Sequence, residues 1–135
     1  MKNTINEAEL ISSKATAFQN AEGEAIILIN NQKICCFLDN IQTEVLLKKK
    51  PKEKIKCILS LMTLKLEQSK EKEKKAISLW NPPKVNQYKI VGEIVEKSKE
   101  KIIVDCGFLI EINEKTELEK SEYIVAQGRI DLRLA

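Results

Sequence analysis

The sequence contains no histidine, and its four glycines stand far apart, at positions 23, 92, 107 and 128. Without histidine, the chain cannot build a Ser-His-acid or Cys-His nucleophile system or a histidine-ligated metal site, and it lacks the commonest general base. Isolated glycines do not form the glycine-rich loop that cradles a phosphate. These absences favour a protein that is not an enzyme and holds no metal or cofactor.

Aromatic residues make up only 4% of the chain, although 43% of its residues are hydrophobic. A folded core must therefore rest on isoleucine, leucine and valine. No apolar run approaches the roughly 20 residues that a membrane span needs. The amino-terminal residues Met-Lys-Asn-Thr-Ile-Asn also lack the apolar stretch of a signal peptide. The four cysteines include no Cys-x-x-Cys spacing, which favours a reducing compartment, so the pattern predicts a cytoplasmic protein without a membrane segment.

Positive charge is concentrated in one region of a chain whose net charge is only +3. Residues 48–84 hold twelve lysines against four glutamates. One interpretation is a solvated, solubilising linker; the other is a patch that binds phosphates or an acidic protein.

The stretch Lys101–Ile112 has the pattern of a tight β-hairpin. Two β-branched runs flank a break at Asp105-Cys106-Gly107, where the glycine can take positive φ. The same pattern occurs 76 positions earlier, at Ala25–Phe37. This second copy predicts that the chain is duplicated.

An alignment of the chain with itself extends the similarity. At an offset of 76, Phe18 falls on Ile94 and Cys36 on Ile112; at an offset of 68, Ile55 falls on Tyr123. We therefore predict a first β repeat at 1–67, a basic linker at 68–84 and a second β repeat at 85–135, packed as one unit. Chance similarity between strands rich in isoleucine and lysine is the alternative.

Each repeat is predicted to contain a first strand, a hairpin, a connection and a long closing strand. The first strands are placed at Leu10–Phe18 and Tyr88–Val95, and the closing strands at Lys54–Leu66 and Glu122–Leu134. A short helix is predicted at about 40–50, where Asp39 or Asn40 can cap it. A helical linker is predicted at about 69–80, ending at Trp80, which would plug one end of a barrel or serve as a ligand platform.

The two closing strands differ in their apolar pattern. In the second, apolar or small residues alternate with polar ones from Ile124 to Leu134, which is typical of a half-buried strand. In the first, the residues aligned with that core-facing set are also apolar: Ile58, Met62, Leu64 and Leu66. The opposite face is apolar as well, because it carries Ile55, Cys57, Leu59 and Leu61. A strand that is apolar on both faces is covered on both. Either the other repeat or another protein would cover the second face.

The repeat alignment also bears on the cysteines and on two small residues. Cys36 and Cys57 align with aliphatic residues and are predicted to lie in the core, whereas Cys35 and Cys106 could be exposed and reactive. Ser60 and Gly128 share one mid-strand position, where a small residue lets a long strand bend and serve both sides of a barrel.

The order strand, hairpin, connection and long strand resembles the oligonucleotide/oligosaccharide-binding (OB) barrel. The likeness is carried by Val91-Gly92-Glu93-Ile94, Ile103-Val104-Asp105-Cys106-Gly107 and Tyr123-Ile-Val-Ala-Gln-Gly128-Arg129. It implies a mainly β chain with two small OB-like barrels or curved sheets. Each repeat offers four strands where the family barrel has five. Either the long closing strand serves as two of the five strands, or each repeat contributes a strand to the sheet of the other.

Two functions fit these features. The first is a non-catalytic protein-binding module (an adaptor, an inhibitor or a small subunit of an assembly), which binds another protein or itself through Ile55, Cys57, Leu59 and Leu61. The alternative is a single-stranded nucleic-acid binder, which joins a basic groove to aromatic side chains on which bases stack. Its candidate residues are Tyr88, Lys89, Lys101, Phe108, Tyr123, Arg129 and Arg133.

Overall fold

Runs rich in isoleucine, valine and leucine form the strands of this fold, as β propensity favours. The computed structural model describes residues 4–79 and 87–135. In these ranges it contains nine strands, one α-helix and a short 3-10 turn at Phe18–Asn20. The elements are β1 Ile5–Ala15, β2 Gly23–Ile29, β3 Gln32–Leu38, α1 Asn40–Leu47, β4 Lys54–Gln68, β5 Lys75–Ser78, β6 Gln87–Lys97, β7 Ile102–Asp105, β8 Leu109–Ile112 and β9 Tyr123–Leu134.

The two predicted hairpins, β2–β3 and β7–β8, are confirmed. Asn30 and Asn31 take φ values of 49° and 61° in the first turn, as a two-residue hairpin turn requires. Gly107 takes φ 105° in the second. The two turns also meet, because the side-chain amide of Asn30 donates a hydrogen bond of 2.8 Å to the carbonyl oxygen of Gly107. The hairpins of the two halves are therefore in direct contact.

Eight strands close into a ring in the order β1-β2-β3-β9-β6-β7-β8-β4, and β5 extends it at the edge of β6. β4 and β9 also pair with each other, from Cys57 opposite Leu134 to Gln68 opposite Ile124. This central pair divides the ring into the circuits β1-β2-β3-β9-β4 and β6-β7-β8-β4-β9. Each half of the chain thus borrows one strand from the other. The mainly β, barrel-like character predicted from the sequence is confirmed.

The parallel joint between β8 and β4 is short, and a side chain reinforces it. Only Ile110–Ile112 of β8 pairs with β4, at Leu59–Leu61, and β4 pairs with β1 over the preceding residues. The Asn6 side chain bridges from β1 to β8: it donates to the Leu109 carbonyl oxygen at 2.8 Å and accepts from the Leu109 N–H at 3.0 Å. Asn6 therefore supplies the backbone of β8 with the two partners that a neighbouring strand would give.

The predicted alternation of β9 is confirmed, while the predicted phase of β4 is wrong. Ile124, Ile130 and Leu132 are buried. In β4, however, Met62 and Leu64 are 56% and 77% exposed, and the core face is the opposite one. Both faces of β4 are apolar, so periodicity alone does not choose between them. A register shift between Thr63 and Lys65 also breaks the alternation.

The short helix predicted at about 40–50 is confirmed as α1. Asp39 caps it by accepting a hydrogen bond of 2.8 Å from the Gln42 N–H. Gln42 in turn accepts from the Leu134 N–H at 2.9 Å. The helix is therefore fastened to the end of β9, and Leu46 anchors it in the core.

The helical linker predicted at about 69–80 is wrong for residues 69–79. The Ser69 hydroxyl bonds the backbone of Glu71 in a local turn, and Lys75–Ser78 forms β5 against β6. Strand pairing with an existing sheet edge outweighs the helix preference of this charged run. Trp80 lies outside the described residues, and so does the role predicted for it.

The predicted alignment of Phe18 with Ile94 is wrong. Phe18 lies after β1 and is 86% exposed, whereas Ile94 is buried within β6. In the strand pairings, Ala8 of β1 lies opposite Ile55 of β4, and Glu93 of β6 lies opposite Tyr123 of β9. The repeat itself and the boundaries 1–67, 68–84 and 85–135 stay predictions. Within the two described ranges, no helix is long and apolar enough to cross a bilayer.

Candidate functional site

The four predicted interface residues of β4 lie inside the molecule. Ile55, Cys57, Leu59 and Leu61 are at most 5% exposed and belong to the hydrophobic core. We therefore assign the second apolar face of β4 to the chain's own core, one of the two alternatives that the sequence leaves open. A partner surface must be sought on the exposed residues.

Two of the predicted nucleic-acid-binding aromatic residues are buried as well. Tyr88 is 2% exposed and its hydroxyl accepts a hydrogen bond from the Cys35 N–H; Phe108 is 5% exposed. In these positions neither ring can stack on a base. Tyr88 faces the core because it lies in phase with Ile90 and Ile94 of β6, and Phe108, just before β8, lies in phase with Ile110.

The other predicted residues are partly exposed, and several share one surface. Tyr123, Arg129 and Arg133 alternate with the buried residues of β9, and Lys89 pairs with the intervening Gln127. Lys101 directly precedes β7 and forms a 3.4 Å ion pair with Glu111, which also pairs with Arg133. The structure thus brings four of the seven residues onto the outer face of β6 and β9.

A groove of about 580 Å³ lies over the middle of the β4–β9 pair. It joins the end of β3, the residues after β8 and the outer face of the two central strands. We call it the central groove; its lining residues are Phe37, Asp39, Ser60, Leu61, Met62, Thr63, Asn113, Glu114, Asp131, Leu132 and Arg133. It is therefore built from both halves of the chain.

An arginine stacks on the aromatic ring at one side of the central groove. The Arg129 guanidinium lies 3.8 Å from the centre of the Phe37 ring. Asp131 holds it there through two hydrogen bonds, of 2.6 and 2.9 Å. The Asp131 hydrogen bond also raises the pKa of Arg129. The planar arginine is thus fixed between a ring and a carboxylate, a pre-organised arrangement.

A second arginine connects the groove to a buried carboxylate. Arg133 donates to Ser60 at 3.2 Å and to Glu111 at 3.3 Å. Glu111, which is 5% exposed, also accepts from the Thr4 hydroxyl at 2.8 Å. Burial tends to raise the pKa of Glu111, but the Thr4 hydrogen bond and the charges of Arg133 and Lys101 outweigh burial and lower it. Glu111 is therefore a charged structural anchor.

Two further carboxylates, of Asp39 and Glu114, line the central groove. Asp39 accepts the helix-capping hydrogen bond described above, and Glu114 is exposed. Among the described residues neither forms an ion pair, whereas Asp131 and Glu111 are paired with arginines. The charged residues that line the central groove are therefore three carboxylates, of Asp39, Glu114 and Asp131, and one arginine, Arg133. Glu114 also borders a neighbouring pocket lined by Lys99, Lys101 and Lys115.

The cysteines do not contribute an exposed thiol. Cys36 and Cys57 lie in the core as predicted, but Cys35 and Cys106 are also buried, at 5% and 1% exposure, so their predicted exposure is wrong. Burial raises the pKa of Cys35 to about 11 and that of Cys106 to about 12. Both therefore remain neutral thiols at physiological pH.

The sequence did not single out Phe37, Asp131 or Glu111, and it assigned Met62 to the core. One sequence pattern did indicate the ion pairs of the groove. The polar face of β9 carries charges of alternating sign, which places opposite charges next to one another: Arg129, Asp131 and Arg133. No local pattern connects Phe37 to that face, because β3 meets β9 through the single pair Phe37–Asp131.

A scan against protein-family models, a search of curated proteins and a search of solved structures each find no match to this chain. The geometry of the central groove is therefore the basis for a function.

Proposed function

We propose that the protein is a non-catalytic protein-binding module and that a segment of the partner lies in the central groove. The observation that carries this proposal is the Arg129–Phe37 stack beside Met62, which is 56% exposed. Arginine, aromatic residues and methionine are enriched at protein interfaces, and arginine is among the residues that most often contribute a large share of the binding energy. Methionine also adapts its shape to different apolar partners.

The charges indicate what kind of segment fits. Asp39 and Glu114 lack cationic partners among the described residues, while the two arginines nearby are already paired with carboxylates. A segment with an apolar side chain against Phe37 and Met62, flanked by lysine or arginine, would satisfy both carboxylates. Unpaired charges of this kind favour complementary partners and disfavour acidic ones.

The nucleic-acid alternative has less support. Single-stranded nucleic acids bind on exposed aromatic residues next to free cations. Here Tyr88 and Phe108 are buried, and Arg129 and Arg133 are neutralised by Asp131 and Glu111. A titration with a labelled oligonucleotide tests it: phosphate contacts would make affinity fall by orders of magnitude between about 50 and 200 mM salt.

Peptide binding tests the protein-binding proposal. We expect peptides with an apolar residue between lysines or arginines to bind the protein in fluorescence anisotropy, and peptides of the same apolar residue between glutamates not to bind. Met62→Lys and Glu114→Lys should each weaken binding by about tenfold, as the loss of one good contact does. Ile77→Lys is the control, because Ile77 is 45% exposed on β5 and does not line the groove.

The result that would overturn the proposal is equally specific. If no basic-flanked peptide binds, or if the groove variants bind as well as the Ile77→Lys protein, the central groove is not the binding surface. A pull-down from cell extract with the original protein and with Met62→Lys would then identify any partner that binds elsewhere.

We also propose that the two halves are copies of one OB-like unit. β1, β2, β3 and β4 pair with one another as β6, β7, β8 and β9 do, and each half donates its long strand to the other circuit. This arrangement supplies the fifth strand that each half lacks. We propose a cytoplasmic location as well, and the four free cysteine thiols support it.

A further inference from the structure

The second half of β4 leaves one side of its backbone without a neighbouring strand in the described part of the chain. β1 pairs along one side of β4 up to Ile58, and β8 continues along that side to Leu61. From Met62 to Gln68, β4 pairs only with β9, on its other side. We call residues 62–68 on this side the free edge of β4.

Most side chains of the free edge are exposed, whereas Thr63 and Leu66 are half-buried. Leu64 is 77% exposed, and the side chains of Lys65 and Glu67 are 64% and 59% exposed. An exposed edge with an apolar residue invites pairing with another strand. The lysine and the irregularity at Leu64 discourage indefinite stacking of strands, so they favour a single closed contact.

We propose that a second copy of this chain pairs with the free edge of β4 in an antiparallel, two-fold symmetric dimer centred on Leu66. With this centre, Lys65 of each copy lies opposite Glu67 of the other, and Leu66 lies opposite Leu66. Opposite charges directly across antiparallel strands attract. The Leu66 side chain already packs against the core, so the pairing would continue the core across the dimer.

The neighbouring registers are disfavoured by charge. A two-fold centre on Lys65 places two lysines directly opposite each other, and a centre on Glu67 places two glutamates opposite each other. Like charges in that position are destabilising. The sequence Leu64-Lys65-Leu66-Glu67 therefore selects one register, and the two-fold contact occupies the free edge of β4 in both copies, so a third copy cannot add to that edge.

Charge reversal gives a test that is independent of the central groove. Lys65→Glu puts glutamate opposite glutamate across the dimer, and Glu67→Lys puts lysine opposite lysine. We expect each single variant to raise the dimer dissociation constant, measured by analytical ultracentrifugation, by about tenfold, because two attractive pairs become repulsive. An equimolar mixture of the two variants should restore dimers, since each glutamate then meets a lysine. The double reversal should also dimerise.

Lys72→Glu serves as the matched control, because Lys72 is exposed and lies outside the free edge; it should dimerise like the original protein. Circular dichroism confirms that each variant is folded. The proposal is overturned if the unmodified protein stays monomeric at about 1 mM, the weak end of specific association. It is equally overturned if the two single variants do not associate better when mixed than when alone. Neither result bears on peptide binding in the central groove.

Discussion

The hydroxyl oxygen of Tyr88 accepts a 2.8 Å hydrogen bond from the backbone N–H of Cys35, joining β6 to β3. Both residues are buried. Over residues 32–36, β3 pairs only with β2 among the described strands, so this N–H would otherwise face the interior without a partner. Tyr88 thus takes the place of a missing strand, and burial raises its pKa to about 12.

Removing this hydroxyl should destabilise the fold. We expect Tyr88→Phe to lower the free energy of unfolding by about 1–3 kcal/mol, because a buried N–H loses its only partner. Urea unfolding measures the loss, and hydrogen exchange should show the Cys35 amide losing protection. Tyr123→Phe is the matched control: Tyr123 is half-buried and its hydroxyl makes no hydrogen bond within the described residues. Equal losses in the two variants would contradict this role for Tyr88.

Glu111 should make stability depend on pH. Its pKa is lowered in the folded protein, while in the unfolded chain it titrates near the ordinary value of about 4.3. The stabilisation by Glu111 is therefore complete above the unfolded pKa and is lost as pH falls through the folded pKa. At pH 7 we expect Glu111→Gln to cost about 1–3 kcal/mol, the range for hydrogen bonds to a charged group.

The difference between the original protein and Glu111→Gln should shrink as pH falls below about 4, when the carboxylate becomes neutral. Urea unfolding at a series of pH values measures it. Glu114→Gln, at an exposed carboxylate without an ion pair among the described residues, should change little at any pH. A Glu111→Gln loss that does not vary with pH would show that shape, and not charge, makes Glu111 important.

Gly128 permits the close approach of the two central strands. A Cβ atom at this position would overlap the carbonyl oxygen of Met62 on β4, and that oxygen belongs to the backbone and cannot rotate away. We expect Gly128→Ala to lower the free energy of unfolding by about 1–3 kcal/mol through overpacking.

Ser60→Ala is the control for Gly128→Ala, because the sequence alignment gives the two positions the same role. Ser60 lies where β4 passes from β1 to β8 and already carries a Cβ atom, so the change removes only a 3.2 Å hydrogen bond from Arg133. Urea unfolding should show a loss of about 0.5 kcal/mol or less, as for most surface substitutions. A Gly128→Ala protein as stable as Ser60→Ala would contradict the close-approach argument.

The sequence was most informative where one local signal had one meaning. β9 has apolar residues on one face and polar residues on the other, so its buried face could be predicted. In the same way, Asp39 predicted the start of α1, and Gly107 predicted the turn of the second hairpin. β4 is apolar on both faces, so the sequence pattern alone could not predict which face is buried in the core. β5 has only four residues, at the end of a charged run, and its pairing with β6 makes it a strand.

The central groove was beyond local signals because its parts are distant in the chain. Phe37 and Arg129 come from different halves, and they meet only because β3 joins β9. Contacts of this kind depend on the pairing of distant strands, so no sequence periodicity in either segment predicts them. The exposed Met62 was hidden for a different reason, since its residue type matches a core position.

The exchange of long strands means that neither half carries a complete barrel. Polypeptides 1–79 and 87–135, made separately, should remain largely unstructured alone and reconstitute the native sheet when mixed. If the two halves arose by duplication, as we propose, a single ancestral unit would have completed its ring of strands only by exchanging its last strand with a second copy of itself. Fusion of two such genes would have made this strand exchange between molecules an exchange within one chain.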